Sequence, residues 1–160
     1  MLDEVDRRIL EILQIDARIS NAELARRVGM AASAVFERVR RLEERRVVRS
    51  YGAHLDPHVV GRPLLAYVLV RSDERTGSVS TGQALAREPE VLEVHHVAGQ
   101  DSYLCKVRVA DTEALGRLLR ERFGAIPSVV ATQTTIALDT IKEGWVLPLE
   151  APVAKGPRRV

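Results

Sequence analysis

Cysteine is nearly missing from these 160 residues: Cys105 stands alone, so no disulfide framework and no cysteine-based zinc site forms within one chain. Aromatic residues make up only 4%, and lysine occurs three times, at Lys106, Lys142 and Lys155. No apolar run approaches the roughly 18–20 residues of a membrane span. The N-terminus MLDEVDRR also lacks the basic-then-apolar pattern of a secretory signal. A cytoplasmic chain without membrane association is expected. Catalytic sets are missing too. No Ser/His/Asp arrangement, paired catalytic carboxylates or glycine-rich phosphate loop is evident, so no enzyme activity is expected. His95 and His96 are adjacent, and neighbours on a strand point to opposite faces, so no metal site is expected from them. No cofactor is implied.

What is present is an ordinary globular balance, 46% hydrophobic and 29% charged, in a length that suits one or two small domains. The formal net charge is only +2, yet it is unevenly spread. Between Arg26 and Arg49 eight arginines (26, 27, 38, 40, 41, 45, 46, 49) face three glutamates (37, 43, 44), a local excess of five positive charges. A basic patch on a near-neutral protein points to a directed phosphate contact rather than a generally adhesive polycation.

That patch lies in a helix-turn-helix pattern, SNAELARRVGMAASAVFERVRRLEERR over residues 20–46. Ser20 and Glu23 fit a capping box, in which Glu23 reaches back to the Ser20 N–H. Gly29 suits the left-handed stop of that helix. The next helix puts Val35, Val39 and Leu42 on one face and Ser33, Glu37, Arg40, Arg41 and Glu44 roughly opposite. An Arg-rich solvated helix in a plain bundle would share part of this pattern, but not the cap, turn and charge bias together. In such motifs the last helix enters the major groove by its N-terminal residues. The expected DNA-binding residues are Ser33, Ala34, Phe36, Glu37, Arg40, Arg41, Arg45 and Arg46. Ser33 and Glu37 suit base edges, and the four arginines suit phosphates. Phe36 either meets a thymine methyl or packs against a neighbouring element. Arg38, nearer the packed face, reads as structural.

Along the chain, Asp3 caps a helix over 3–14, helices over 21–28 and 32–45 follow, and Val47, Val48, Tyr51 and Leu55 suggest a linker strand. LDPHVVGRP (55–63) is a turn-rich connector. Beyond it come a strand (64–71), a helix (78–87), two strands (91–99 and 102–109) joined as a hairpin, a helix over 112–122 capped by Asp111, and a strand over 128–138. This order is β-α-β-β-α-β, a ferredoxin-like sheet with both helices on one face. The bare face, rich in β-branched residues, is expected to be an apolar patch that a second subunit covers. Residues 148–160 read as a frayed tail. Asp101 and Ser102, at the hairpin turn, are suited to the ammonium or carboxylate of a small zwitterion, although turn chemistry alone would also choose them.

The stretches LDEVDRRILEILQIDARISNAELARRVGM, AVFERVRRLEERRVVRSYGAHLDPHVVG and VAGQDSYLCKVRV resemble the Lrp/AsnC (leucine-responsive/asparagine-synthetase regulator) family of transcription factors, from about Leu2 to Lys142. The resemblance implies an α+β chain: a three-helix winged helix-turn-helix DNA-binding domain over 1–46, a linker strand and connector over 47–63, a βαββαβ ferredoxin-like (RAM) ligand-sensing and oligomerisation domain over 64–142, and a tail over 143–160. It further implies homodimers assembling to tetramers or octamers, a pseudo-palindromic operator in double-stranded DNA, and an amino-acid effector. By match, the effector site is Gly99, Gln100, Asp101, Ser102 and Tyr103, with Thr132 and Thr134 from a neighbour's last strand. Two places depart from the family pattern. Ala31-Ala32 stand where Ser-Pro is common, with Ser33 placed to cap one residue later, and Ser102 stands where the turn Asp is usual. The alternative function is an amino-acid-binding module that acts on a partner protein, with the helical domain as its docking element.

Overall fold

A computed structural model describes residues 2–100 and 102–149, which form two compact units. One holds residues 2–53 together with 142–149, and the other holds His54–Ile141.

The first unit is three helices: α1 (Glu4–Ile15), α2 (Asn21–Val28) and α3 (Ala32–Glu44). Helix α1 starts at Asp3, whose side chain accepts from the Asp6 N–H at 2.8 Å while Asp6 reaches back to the Asp3 N–H. Ser20 accepts from the Glu23 N–H at 3.2 Å to start α2, and Gly29 (φ 72°) ends it. The return half of the expected Ser20/Glu23 box does not form. The Glu23 carboxylate instead turns forward to Arg26 and Arg27, at 2.7 and 2.9 Å, because two guanidiniums one turn ahead offer charge-assisted bonds. Ile9, Leu13, Leu24, Val28, Val35 and Leu42 close the core between the three helices.

Helix α3 ends in a Schellman arrangement: the Arg46 N–H donates to Glu43 O at 2.8 Å and the Val47 N–H to Leu42 O at 2.9 Å. Arg46 takes φ 54°, a conformation that costs an L-residue with a Cβ roughly 1–2 kcal/mol. Beyond this stop no strand forms over the expected linker, residues 47–63. Val48 folds back onto the helical core, residues 49–56 form neither helix nor strand, and Tyr51 and Leu55 stay exposed. Of the expected tail over 143–160, residues 150–160 lie outside the described residues; before them Gln14 brackets Leu147, donating to its carbonyl at 3.1 Å and accepting from its N–H at 2.7 Å, and Leu149 packs on the helical core.

The second unit is one antiparallel sheet, in the order β2-β3-β1-β4, built from β1 (Leu64–Ser72), β2 (Val91–His96), β3 (Tyr103–Val109) and β4 (Val129–Ile136). Two short helices complete it. The first, α4 (Ser80–Leu85), is shorter than the expected 78–87. The second, α5 (Thr112–Arg117), widens into a π-helical turn over Leu118–Phe123 rather than running on as one α-helix. Asp111 caps α5, accepting from the Ala114 N–H at 2.7 Å. Cross-strand partners share a face, so Val68, Val70, Tyr103, Cys105 and Val107 all turn toward Leu85, Leu115, Leu118 and Phe123.

The β-branched residues of β1 and β3 are thereby spent on the helix-covered core. The opposite face carries Tyr67, Leu69 and Leu104 interspersed with Glu93, His95, Lys106 and Gln133, so it is mixed rather than the continuous apolar patch expected. Among the described residues no helix is long and apolar enough to cross a membrane.

Candidate DNA-binding face and effector turn

Helix α3 is positioned by its buried stripe. With Val35 and Leu42 buried and Val39 half-buried, the side chains of Ser33, Phe36, Glu37, Arg40, Arg41 and Glu44 form one exposed stripe, and Ala34 is half-buried beside it. Phe36 is 52% exposed within that stripe and does not pack into the core. Ser33 does not cap the helix. The cap position is Ala31, which offers no side-chain acceptor, so Ser33 lies inside the first turn with its hydroxyl exposed.

The charges sort into two groups. Arg26 and Arg27 are tied to Glu23, whose carboxyl they hold down at about 2. Arg40 pairs with Glu37 at 2.8 Å and Glu44 at 3.6 Å. Arg38 spans to the start of α1, meeting Asp3 at 2.6 Å and the buried Asp6 at 2.7 Å. The backbone N–H of Asp6 and the Arg38 guanidinium hold the Asp3 carboxyl below its ordinary value. This gives Arg38 the structural role expected of it.

Arg41, by contrast, bonds only the Glu37 carbonyl, at 3.3 Å. Among the described residues, Arg41, Arg45, Arg46 and Arg49 have no carboxylate partner. The nearest acids are already engaged, Glu43 by the Tyr51 hydroxyl at 2.7 Å and Glu44 by Arg40. Burial and that bond push the Tyr51 phenol up to about 12. A cluster of unneutralised guanidiniums at the C-terminal end of the exposed stripe is what a phosphate backbone requires.

In the sheet unit, Gly99 (φ 136°) and Gln100 are exposed in the turn between β2 and β3, and Asp101 lies outside the described residues. Ser102 is half-buried. Its N–H donates to Val70 O at 2.9 Å, and its hydroxyl accepts from the Ser72 N–H at 3.3 Å.

Tyr103 is 2% exposed and belongs to the core rather than to the rim. Its hydroxyl donates to Glu74 and its ring stacks on His96 at 5.1 Å. Thr132 and Thr134 lie on edge strand β4, opposite Val70 and Val68, so β1 stands between them and the turn. In-row spacing puts Thr132 about 10 Å from Tyr103, with Thr132 exposed and Thr134 half-buried. The chain therefore presents the turn and the two threonines at one end of the sheet without joining them into one pocket.

Sequence reasoning missed Glu74. Burial alone would raise its carboxyl, but bonds from the Tyr103 hydroxyl, the Thr81 N–H and the Ser80 and Ser78 hydroxyls outweigh that and hold it at about 2. Beside it Thr81 links Ser72 at 3.0 Å to Ser128 at 2.6 Å. This network ties the end of β1 to the start of α4 directly behind Ser102. The Ser/Thr richness of residues 78–81 is the one local hint of it in the sequence.

Comparison with known proteins agrees with both halves. Residues 2–43 match the AsnC-type helix-turn-helix domain, and residues 65–147 match the Lrp/AsnC ligand binding domain. The chain is 36% identical over 150 residues to the HTH-type transcriptional regulator FL11 of Pyrococcus horikoshii, covering 93% of this chain and 97% of that one. It is 38% identical over 144 residues to the leucine-responsive regulatory protein of Escherichia coli K12, covering 89% and 88%. Among solved structures, a feast or famine regulatory protein from M. tuberculosis complexed with L-methionine superposes with a TM-score of 0.83 at 38% identity, covering 89% of this chain and 96% of that one. A transcriptional regulator–L-Met complex from Neisseria meningitidis gives 0.87 at 29% identity, covering 93% and 97%.

Proposed function

The chain belongs to the Lrp/AsnC family of transcriptional regulators, and on that premise we propose that α3 reads an operator while the turn between β2 and β3 senses an amino acid. The observation that carries the DNA half is the exposed stripe of α3 with four carboxylate-free arginines at and beyond its end. Ser33, Phe36 and Glu37 face base edges, Ala34 flanks them, and Phe36 meets a thymine methyl. Arg41, Arg45 and Arg46 hold phosphates, and Arg40 joins them by exchanging its glutamate partners for DNA. Two helical domains, one per subunit of a homodimer, fit a pseudo-palindromic site with half-sites one helical turn apart or a multiple of it. In this reading residues 1–46 bind DNA, 64–142 sense and oligomerise, and the dimers assemble further to tetramers or octamers.

The effector half rests on the L-methionine complexes of the two similar proteins and on the turn where exposed Gly99 and Gln100 precede half-buried Ser102. Thr132 and Thr134 lie too far from the turn of their own chain to complete the cleft, so a neighbouring subunit supplies them. Tyr103 serves the site from behind, by fixing the start of β3. An amino acid that favours one assembly over another then shifts DNA affinity by its differential affinity for the two states.

Calorimetric titration against the standard amino acids, starting with L-methionine, tests the sensor. Binding weakened roughly tenfold or more in Ser102→Ala supports the site. Binding unaffected by that change moves the sensor elsewhere.

A further inference from the structure

We propose that Arg46 occupies a strained left-handed position at the end of α3 in order to place its guanidinium on a DNA phosphate, so that the residue lowers the stability of the helical unit and raises DNA affinity. The inference rests on the DNA-binding reading above and deepens it.

Among the described residues Arg46 is the one non-glycine with a positive φ; the other such positions are Gly29, Gly61, Gly77 and Gly99. The stop of α2 shows what this chain uses where only the backbone matters, namely Gly29 with φ 72°. At the stop of α3 the same left-handed turn, closed by the corresponding bond (Val47 N–H to Leu42 O, as Met30 N–H to Ala25 O at α2), is made around an arginine. A Cβ is unfavourable there, so the gain must come from the side chain.

Nothing within the chain provides that gain. The Arg46 side chain is exposed and makes no hydrogen bond or ion pair among the described residues. The two glutamates one turn back are engaged by Tyr51 and Arg40. The C-terminal helix dipole already has Arg45 beside it. An external anion remains, and Arg45, Arg46 and Arg49 together form the carboxylate-free end of the basic patch.

The test is Arg46→Gly in the full-length chain, read two ways. Scanning calorimetry should show the thermal midpoint of the helical unit raised by a few degrees, because the strain is relieved. Affinity for a mixed-sequence duplex should fall roughly three- to tenfold near 0.1 M salt, with the log–log salt slope flattened by about 0.9 per helical domain engaged. Arg46→Asn tolerates the left-handed backbone without the charge and should lose affinity like the glycine variant. Arg46→Lys keeps the charge and the strain, and should keep both the midpoint and, within about twofold, the affinity.

A glycine variant that is no more stable than the parent overturns the strain, and one that binds with an unchanged salt slope overturns the phosphate contact. Arg41→Ala separates this inference from its premise. If Arg41→Ala flattens the salt slope and Arg46→Gly does not, the Arg46 assignment alone fails. If the parent shows no salt-dependent binding, the DNA-binding reading fails and this inference with it.

Discussion

Single side chains in the helical unit divide by what neutralises them. Arg38 reaches from α3 to Asp3 and to Asp6, which is only 8% exposed, so it fixes the angle at which α3 is presented. Arg38→Met leaves the Asp6 carboxylate short of a partner. It should destabilise the unit by about 1–3 kcal/mol in urea unfolding while leaving the salt slope of DNA binding unchanged.

Glu74 makes the pH prediction for the sheet unit. Its folded value, about 2, lies below its ordinary 4.5, so it contributes stability above about pH 4.5 and loses it as the pH falls toward 2. Acid unfolding followed by tryptophan-independent far-UV dichroism should be steeper in the parent than in Glu74→Gln across that window. Equal steepness would mean that the network does not hold the loop.

Whole elements show which parts of the fold were legible in the sequence. Periodicity found α1, α2, α3 and the four strands, because each buries one face and its apolar spacing records that face. The stops and starts at Asp3, Gly29 and Asp111 were legible for the same local reason. Glu23 misled because its box partner and its arginine partners compete, and only the geometry decides between them. The linker was misread as a strand because Val47 and Val48 look β-branched and extended, whereas both N–H groups close the end of α3 on Leu42 O.

Two helix-level predictions follow from the caps and contacts. Ala31→Ser supplies the acceptor that α3 lacks and should stabilise the chain by about 0.5–2 kcal/mol in the same urea experiment. Gly82→Ala places a Cβ 2.5 Å from the Tyr103 ring, where α4 crosses the sheet. It should destabilise by about 1–3 kcal/mol, and loosening of Tyr103 from Glu74 should be seen as altered near-UV dichroism.

At the scale of the whole molecule the candidate site was half legible. The exposed stripe of α3 came directly from helical spacing. The partition of its arginines did not, because Arg38 meets Asp3 across 35 positions of sequence and the strain at Arg46 is a backbone angle. The turn between β2 and β3 was found as a turn, but Tyr103 and Glu74, 29 positions apart, are joined only in the folded sheet. The threonines of β4 lie on the edge strand, with β1 between them and the turn, so the proposed site draws them from a neighbouring subunit.

The proposed function rests on α3 reading sequence with one set of residues and gripping phosphate with another. The most direct test is selection of preferred sites from a random duplex library by the parent, by Ser33→Ala/Glu37→Ala and by Arg41→Ala. The account predicts that the double variant changes the preferred bases within each half-site, while Arg41→Ala selects the parent's sequence more weakly. An unchanged preference in the double variant, or a changed one in Arg41→Ala, would contradict it.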